Sequence, residues 1–248
     1  MSRYWAHSKS AYYGVLCALP LLAVYELLLW SAGSRSGLQV RNAADVWFRT
    51  LLESLGLGPA QATLAMMALL VATIPKLRQG EVRLEARYLA LMLGEALVYS
   101  LALGIVINLL LYLILYTWLS AAAAVSAPLL APLAAALPGA DGLPTGIALS
   151  LGAGLFEEFA FRVVLLTVLL GVFRLVFRPG WAALWAILLA SLAFSLAHYV
   201  GSLGEPFSMH TLLYRWLAGL LFTLLYYQRG FAIAAWSHAL YDIWVLLI

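Results

Sequence analysis

Long apolar runs joined by short polar connections dominate this chain of 248 residues, and they predict an all-α protein. The first run, about Ala11 to Gly33, follows Arg3 and Lys9 and resembles a signal peptide until its length and Glu26 are weighed. A signal h-region has about 7–15 residues, so the run predicts a retained spanning helix, with Ser31-Ala32-Gly33 only a weak cleavage site. From Arg41 to Leu57 the pattern changes. Ala44, Phe48, Leu51, Leu52 and Leu55 recur at helical spacing opposite Arg41, Asp45, Arg49 and Glu53, which predicts an amphipathic helix at the membrane interface. A short span follows at about Ala60 to Pro75, then a longer one from about Tyr88 to Ser120, able to cross with tilt. The Ala-rich stretch Ala121 to Gly146, with Pro128, Pro132, Pro138 and Pro144, predicts an irregular or re-entrant connection or, alternatively, an eighth crossing. Apolar runs at about Thr145 to Phe173, Gly180 to Val200, Thr211 to Tyr227 and Phe231 to Ile248 complete seven spans.

Composition agrees with this pattern. Hydrophobic residues make up 65% and charged residues 10%, against about 25% charged in soluble domains. The chain therefore reads as a polytopic transmembrane helical bundle with about 7–8 spans and one interfacial amphipathic helix. Short connections, and no soluble-looking stretch long enough for a second core, predict a single transmembrane domain over residues 1–248. The lone Cys17 excludes an intramolecular disulfide and a cysteine-rich metal site. The net charge of +3 gives no support to nucleic-acid binding, because in a membrane protein the surplus reflects cytoplasmic-loop Lys and Arg. With seven crossings and the N-terminus inside, the inner side holds Arg3, Lys9, Lys76, Arg78, Arg83, Arg87, Arg174, Arg178 and Arg229, and the outer side Arg35, Arg41 and Arg49. That asymmetry predicts a cytoplasmic N-terminus. The expected setting is a multi-pass protein of the plasma (inner) membrane of a bacterium, in contact with the lipid bilayer, with its site opening toward the outer leaflet.

Ionisable residues inside apolar spans are costly, about 2.5–3.5 kcal/mol each at the bilayer centre, so they mark candidate chemistry. Three groups stand out: Glu157, Glu158 and Arg162 in Phe156-Glu157-Glu158-Phe159-Ala160-Phe161-Arg162; His198 in Phe194-Ser195-Leu196-Ala197-His198; and His238 with Asp242. Glu158 and Arg162 are four apart and can pair on one helix face, while Glu157 points about 100° away and is free to face the bundle interior. His238 and Asp242 share a face at the same spacing. If these faces converge, Glu157 and His198 can hold a water between them for attack on a peptide carbonyl. His238 and Asp242 would then stand on the oxyanion side. Five acids in the spans (Glu26, Glu95, Glu157, Glu158, Asp242) face two arginines (Arg162, Arg215), so some acids are expected to be protonated or paired with histidine. Glu26, Glu95 and Arg215 are left as partners for Arg162 or the histidines, or as water-lined positions. Glu157, His198 and His238 are also legitimate zinc ligands that leave a position open for water. The chain lacks His-Glu-x-x-His, so no cofactor is favoured, and zinc or another divalent metal is the alternative.

In order and in successive apolar segments, these residues resemble the signature of the CPBP family (CAAX proteases and bacteriocin-processing enzymes), intramembrane endopeptidases also called Abi proteins. Glu157-Glu158-x-x-x-Arg162 is similar to its paired-glutamate motif, Phe194-x-x-x-His198 to its second and His238-x-x-x-Asp242 to its third, where the family allows Asn or Asp. The resemblance covers about Thr145 to Ile248. It implies that Glu157 and His198 activate water and that His238 and Asp242 form the oxyanion side, with Glu158 and Arg162 in support. An ionised Asp242 cannot donate as Asn would. The family has been described both as metalloproteases and as metal-independent glutamate proteases.

The resulting expectation is an intramembrane endopeptidase acting on a membrane-anchored or lipid-modified polypeptide tail. Two other readings stand beside it. A proton-coupled transporter would also populate spans with acids and histidines, but the chain shows no internal repeat of the transporter kind. A non-catalytic immunity or scaffold protein could keep the same fold, although every motif residue is retained.

Overall fold

The computed structural model describes residues 3–36, 40–77, 84–119, 142–201 and 204–247, and among them the chain is helical and has no strand. The helices are α1 (Arg3–Ser8), α2 (Ala11–Ser36), α3 (Ala43–Ser54), α4 (Pro59–Leu77) and α5 (Ala86–Leu119) in the first part. The second part holds α6 (Gly142–Gly152), two π-helical segments (Ala153–Glu157 and Phe159–Leu165), α7 (Leu166–Phe173), α8 (Pro179–Ala197), α9 (Met209–Arg229) and α10 (Phe231–Leu247). Most of the Ala/Pro stretch, expected as an irregular connection or an eighth crossing, lies outside the described residues. Its end, from Gly142, is already helical, and Pro144 sits in the first turn of α6, where a missing N–H is harmless.

Four helical stretches among the described residues are long and apolar enough to cross a membrane: Ala11–Gly33, Pro59–Leu77, Ala86–Leu115 and Pro179–Ala197. Their outward faces are apolar, with Leu64, Leu69, Leu97, Ile105, Trp181 and Leu189 all exposed. That surface suits acyl chains, and the fold is an all-α membrane bundle. The helices expected at Thr145–Phe173 and Thr211–Tyr227 differ from these four. The first is interrupted by π geometry, and the second carries Arg215 within its length.

The enclosed centre is α10. It packs on α2, α5, α6 and α9, and its buried residues Ala232, Ala234, Ala235, Ser237 and Ala239 are small. In lipid, helix association depends on close packing rather than on the hydrophobic effect, so small residues at the crossing are what let backbones approach. Gly154 shows how close that approach is, since a Cβ there would sit 2.4 Å from the Ala235 carbonyl oxygen. One apolar cluster joins α2, α5, α9 and α10, and a second joins α2, α3, α6 and α10.

Helix α3 turns charge as well as apolar surface toward the protein. Ala44 and Phe48 pack on the core and Trp47, Leu51 and the following Leu55 are exposed, while Asp45 and Arg49 are buried. The burial of the charges has a direct cause. Arg41 bonds Glu26 of α2 through both Nη atoms at 3.0 and 3.1 Å and Asp45 at 3.0 Å. Arg49 bonds Asp45 at 2.8 Å and also reaches Glu26. Two guanidinium groups and two carboxylates neutralise one another, and the apolar side is left for lipid.

Candidate active site

The paired glutamates sit at the junction of the two π-helical segments. Glu157 ends the first, and Glu158, with φ −62° and ψ −38°, continues the helical backbone into the second. π-type turns, with i→i+5 hydrogen bonds, occur mostly as local distortions and often at functional sites. Here the two carboxylates leave the helix toward different neighbours.

Glu157 turns toward α3 and α8. Its Oε1 accepts a hydrogen bond of 2.7 Å from Asn42 Nδ2, and its side chain lines a cavity with Ala43, Ala44, Trp47, Phe161, Ala197 and His198. The cavity measures about 40 Å³, which exceeds the space one water needs. His198 caps the C-terminus of α8. Its Nδ1 lies 2.9 Å from the Phe194 carbonyl oxygen, which only accepts, so Nδ1 carries a proton and in the neutral ring Nε2 keeps its lone pair. Glu157 and His198 thus line one water-sized space.

Glu158 turns the other way and is completely buried. Its Oε1 lies 3.0 Å from Arg162 Nη1 and 2.7 Å from His238 Nδ1. Arg162 is held further by the Gly219 carbonyl at 3.3 Å and by the Phe194 ring, whose centroid is 4.5 Å from the guanidinium carbon. His238 stacks on Phe222 at 4.5 Å between centroids, and its Nε2 is 3.5 Å from Asp242 Oδ2, too long for a committed hydrogen bond. The two sides meet at Phe194, whose ring packs edge-on against both His198 and His238, at 5.1 and 5.9 Å. Glu157, His198, His238 and Arg162 also interact electrostatically.

The sequence-expected residues are therefore gathered in one region, but in two groups. Glu157 and His198 share the cavity, and Glu158, Arg162, His238 and Asp242 form a chain behind it. Glu158 does more than pair with Arg162, because it also orients His238. Glu26, Glu95 and Arg215 are not partners of Arg162 and make no direct bond to either histidine. Glu26 belongs to the α2–α3 charge cluster, Glu95 is held by Arg229 and the Tyr4 hydroxyl, and Arg215 bonds Glu205 at 2.6 Å. Two of the acids counted in the spans are met by arginines outside that count, Glu26 by Arg41 and Arg49 and Glu95 by Arg229. Asn42 is the site contact that sequence pattern did not single out. Its only signal is that of a helix N-cap before Ala43.

Of the trio named as alternative zinc ligands, Glu157 and His198 line the cavity, whereas His238 has Nδ1 on Glu158 and Nε2 3.5 Å from Asp242. Among the described residues no three His, Cys, Asp or Glu side chains converge as a metal-holding group.

No curated protein and no solved structure matches this chain. One family model does: Rce1-like, type II CAAX prenyl endopeptidase Rce1-like, matches residues 139–244. Glu157, Glu158, Arg162, His198, His238 and Asp242 all fall inside the match, so this segment is similar to a family of proteases, consistent with the CPBP resemblance.

Proposed function

We propose that this protein is an intramembrane endopeptidase in which Glu157 and His198 activate the water that hydrolyses a peptide bond. The observation that carries the reading is their common cavity, since Glu157 and His198 both line a space large enough for one water. Glu157 takes a proton as the water oxygen forms its bond to the carbonyl carbon, and the carbonyl electron pair moves to oxygen. Collapse of that intermediate breaks the carbon–nitrogen bond, and the leaving nitrogen takes the proton back from Glu157. His238 stands on the oxyanion side: Nδ1–H donates to Glu158, and in the imidazolium that the two flanking carboxylates favour, an Nε2–H only loosely opposed by Asp242 is available to the developing charge. No step requires a metal.

The substrate is a membrane-anchored or lipid-modified polypeptide tail, in keeping with a family of CAAX prenyl endopeptidases. The setting is a bacterial plasma membrane with a cytoplasmic N-terminus. α1 and the Lys9 backbone pack near Arg229 and Gly230, far along α2 from Glu26 and α3, so the cavity opens near the face opposite the N-terminus. A proton relay is not favoured by the remaining acids. Glu26 and Glu95 are each consumed by arginines at separate ends of the bundle.

The test compares membranes from cells making the wild-type protein or Glu157→Gln, with labelling of newly formed peptide termini. Expected are membrane-protein tails cleaved only with the wild type, each new carboxyl terminus carrying oxygen from labelled water. Identical terminus profiles from the two would overturn the reading.

A further inference from the structure

Asn42 precedes α3 and is 9% exposed. Its Oδ1 accepts the Ala44 N–H at 2.9 Å, the ordinary work of an N-cap. Ser or Asp would perform that work equally well. What Asn adds is the amide N–H₂, and that group is spent on Glu157 across 115 residues of sequence. The two bonds also settle which way the amide points, because the oxygen must face Ala44 N–H and the nitrogen the carboxylate.

The seat of Asn42 is rigid. Its backbone N–H bonds the Tyr25 hydroxyl at 3.3 Å, and that hydroxyl donates to Asp45 at 2.8 Å, inside the Glu26–Arg41–Asp45–Arg49 cluster. Gly152, one turn before Glu157, lets the glutamate-bearing helix come down on this seat. A Cβ there would lie 2.7 Å from the Tyr25 ring and 3.1 Å from Asn42 Cβ. Among the described residues Asn42 is the one hydrogen-bond donor on Glu157, and it occupies Oε1. The second oxygen has no donor among the described residues.

Taking Glu157 as the base, as in the proposed function, we propose that Asn42 is its positioning residue. It pins Oε1 and so presents Oε2 to the water, while α3, anchored by its inward charge cluster, serves as the fixed wall that carries this amide. Helix α3, outside the family match, thereby becomes part of the catalytic apparatus.

The experiment uses the full-length protein in detergent or vesicles, with a peptide cleaved by the wild type in membranes as probe. Asn42→Ser keeps the helix cap and removes the amide. Expected is a fall in kcat of about ten- to hundredfold, the scale of loss when a reacting group is misplaced by an ångström, with KM and thermal stability unchanged. A second readout does not need turnover. The carboxylate stretch assigned to Glu157 by infrared difference against Glu157→Gln should move in Asn42→Ser. If Asn42→Ser fails to accumulate, Asn42→Asp, which retains both cap and side-chain size, decides the point. Full kcat in whichever variant folds, with an unmoved carboxylate band, would overturn the positioning role. Wild-type turnover by Glu157→Gln would instead overturn the reading of Glu157 as base.

Discussion

Glu157 and Glu158 are adjacent in sequence yet face different neighbours from one helix. Glu157 meets a neutral amide and a cavity, whereas Glu158 meets a guanidinium and an imidazole with no access to solvent. One carboxylate is free to exchange a proton with something that enters. The other is a buried anion whose partners would be stranded without it. The contrast teaches that a paired-carboxylate motif in a membrane divides labour by direction, since a residue step on a helix turns the side chain by about 100°. Two glycines make the division possible. Gly152 admits Tyr25 and Asn42 on the first side, and Gly154 admits the Ala235 carbonyl on the second.

The largest expected effect comes from removing the base. Glu157→Gln should lower kcat by about 10²–10⁴-fold, the usual span for a general base, while protein level and thermal stability stay as in the wild type. Turnover and level measured together check this, and equal losses in both would erase the contrast with Glu158.

Glu158→Ala should act mainly on folding. It leaves Arg162 buried without its anion and His238 without the acceptor at Nδ1, and breaking a buried pair from one side costs about 3–5 kcal/mol. Membrane abundance and thermal stability should both fall. A Glu158→Ala protein as stable as the wild type would contradict the assignment of this side to support.

The glycines sharpen the comparison. Gly154→Ala and Gly152→Ala each insert a methyl into a packed crossing, at a cost of about 1–3 kcal/mol. Gly154→Ala, which presses on the α10 backbone, is expected to reduce protein level more than specific turnover. Gly152→Ala, which presses on Tyr25 and Asn42, is expected to reduce specific turnover more than level. The reverse ranking would show that the two sides are not separable.

The smallest expected effect is that of chelation. With both His238 nitrogens turned to carboxylates, exhaustive removal of divalent metal should leave turnover unchanged. Activity lost to a chelator and restored by zinc, with one ion bound per chain, would break this expectation and assign Glu157 and His198 as ligands.

Much of this arrangement is legible in the chain, and its residues show why. Apolar runs of spanning length state that the protein is an α-helical membrane bundle, because lipid forces backbone groups to pair within each segment. The i,i+4 spacings of Glu158 with Arg162 and of His238 with Asp242 place each pair on one face through the helix repeat alone. Asn42 was not legible as a site residue, because its partner is 115 positions away and its own neighbourhood reads as an ordinary cap. The inward turn of the α3 charges was not legible either. Helical periodicity says that Asp45 and Arg49 oppose Leu51 and Leu55 but not which face meets protein, and Glu26 on α2 decides that.

By itself, then, the sequence determined the class of fold, the set of ionisable residues and the pairs that helical repeat brings together, since these follow from local geometry and the cost of charge in lipid. Only the tertiary structure decided that Glu157 borders the cavity while Glu158 is sealed behind it, that both histidines share Phe194, and that α3 reaches Glu157 through Asn42. Those outcomes depend on how closely helices cross. The crossing distance is set jointly by small residues on α10 and glycines on the facing segment, contacts between positions that no local pattern connects.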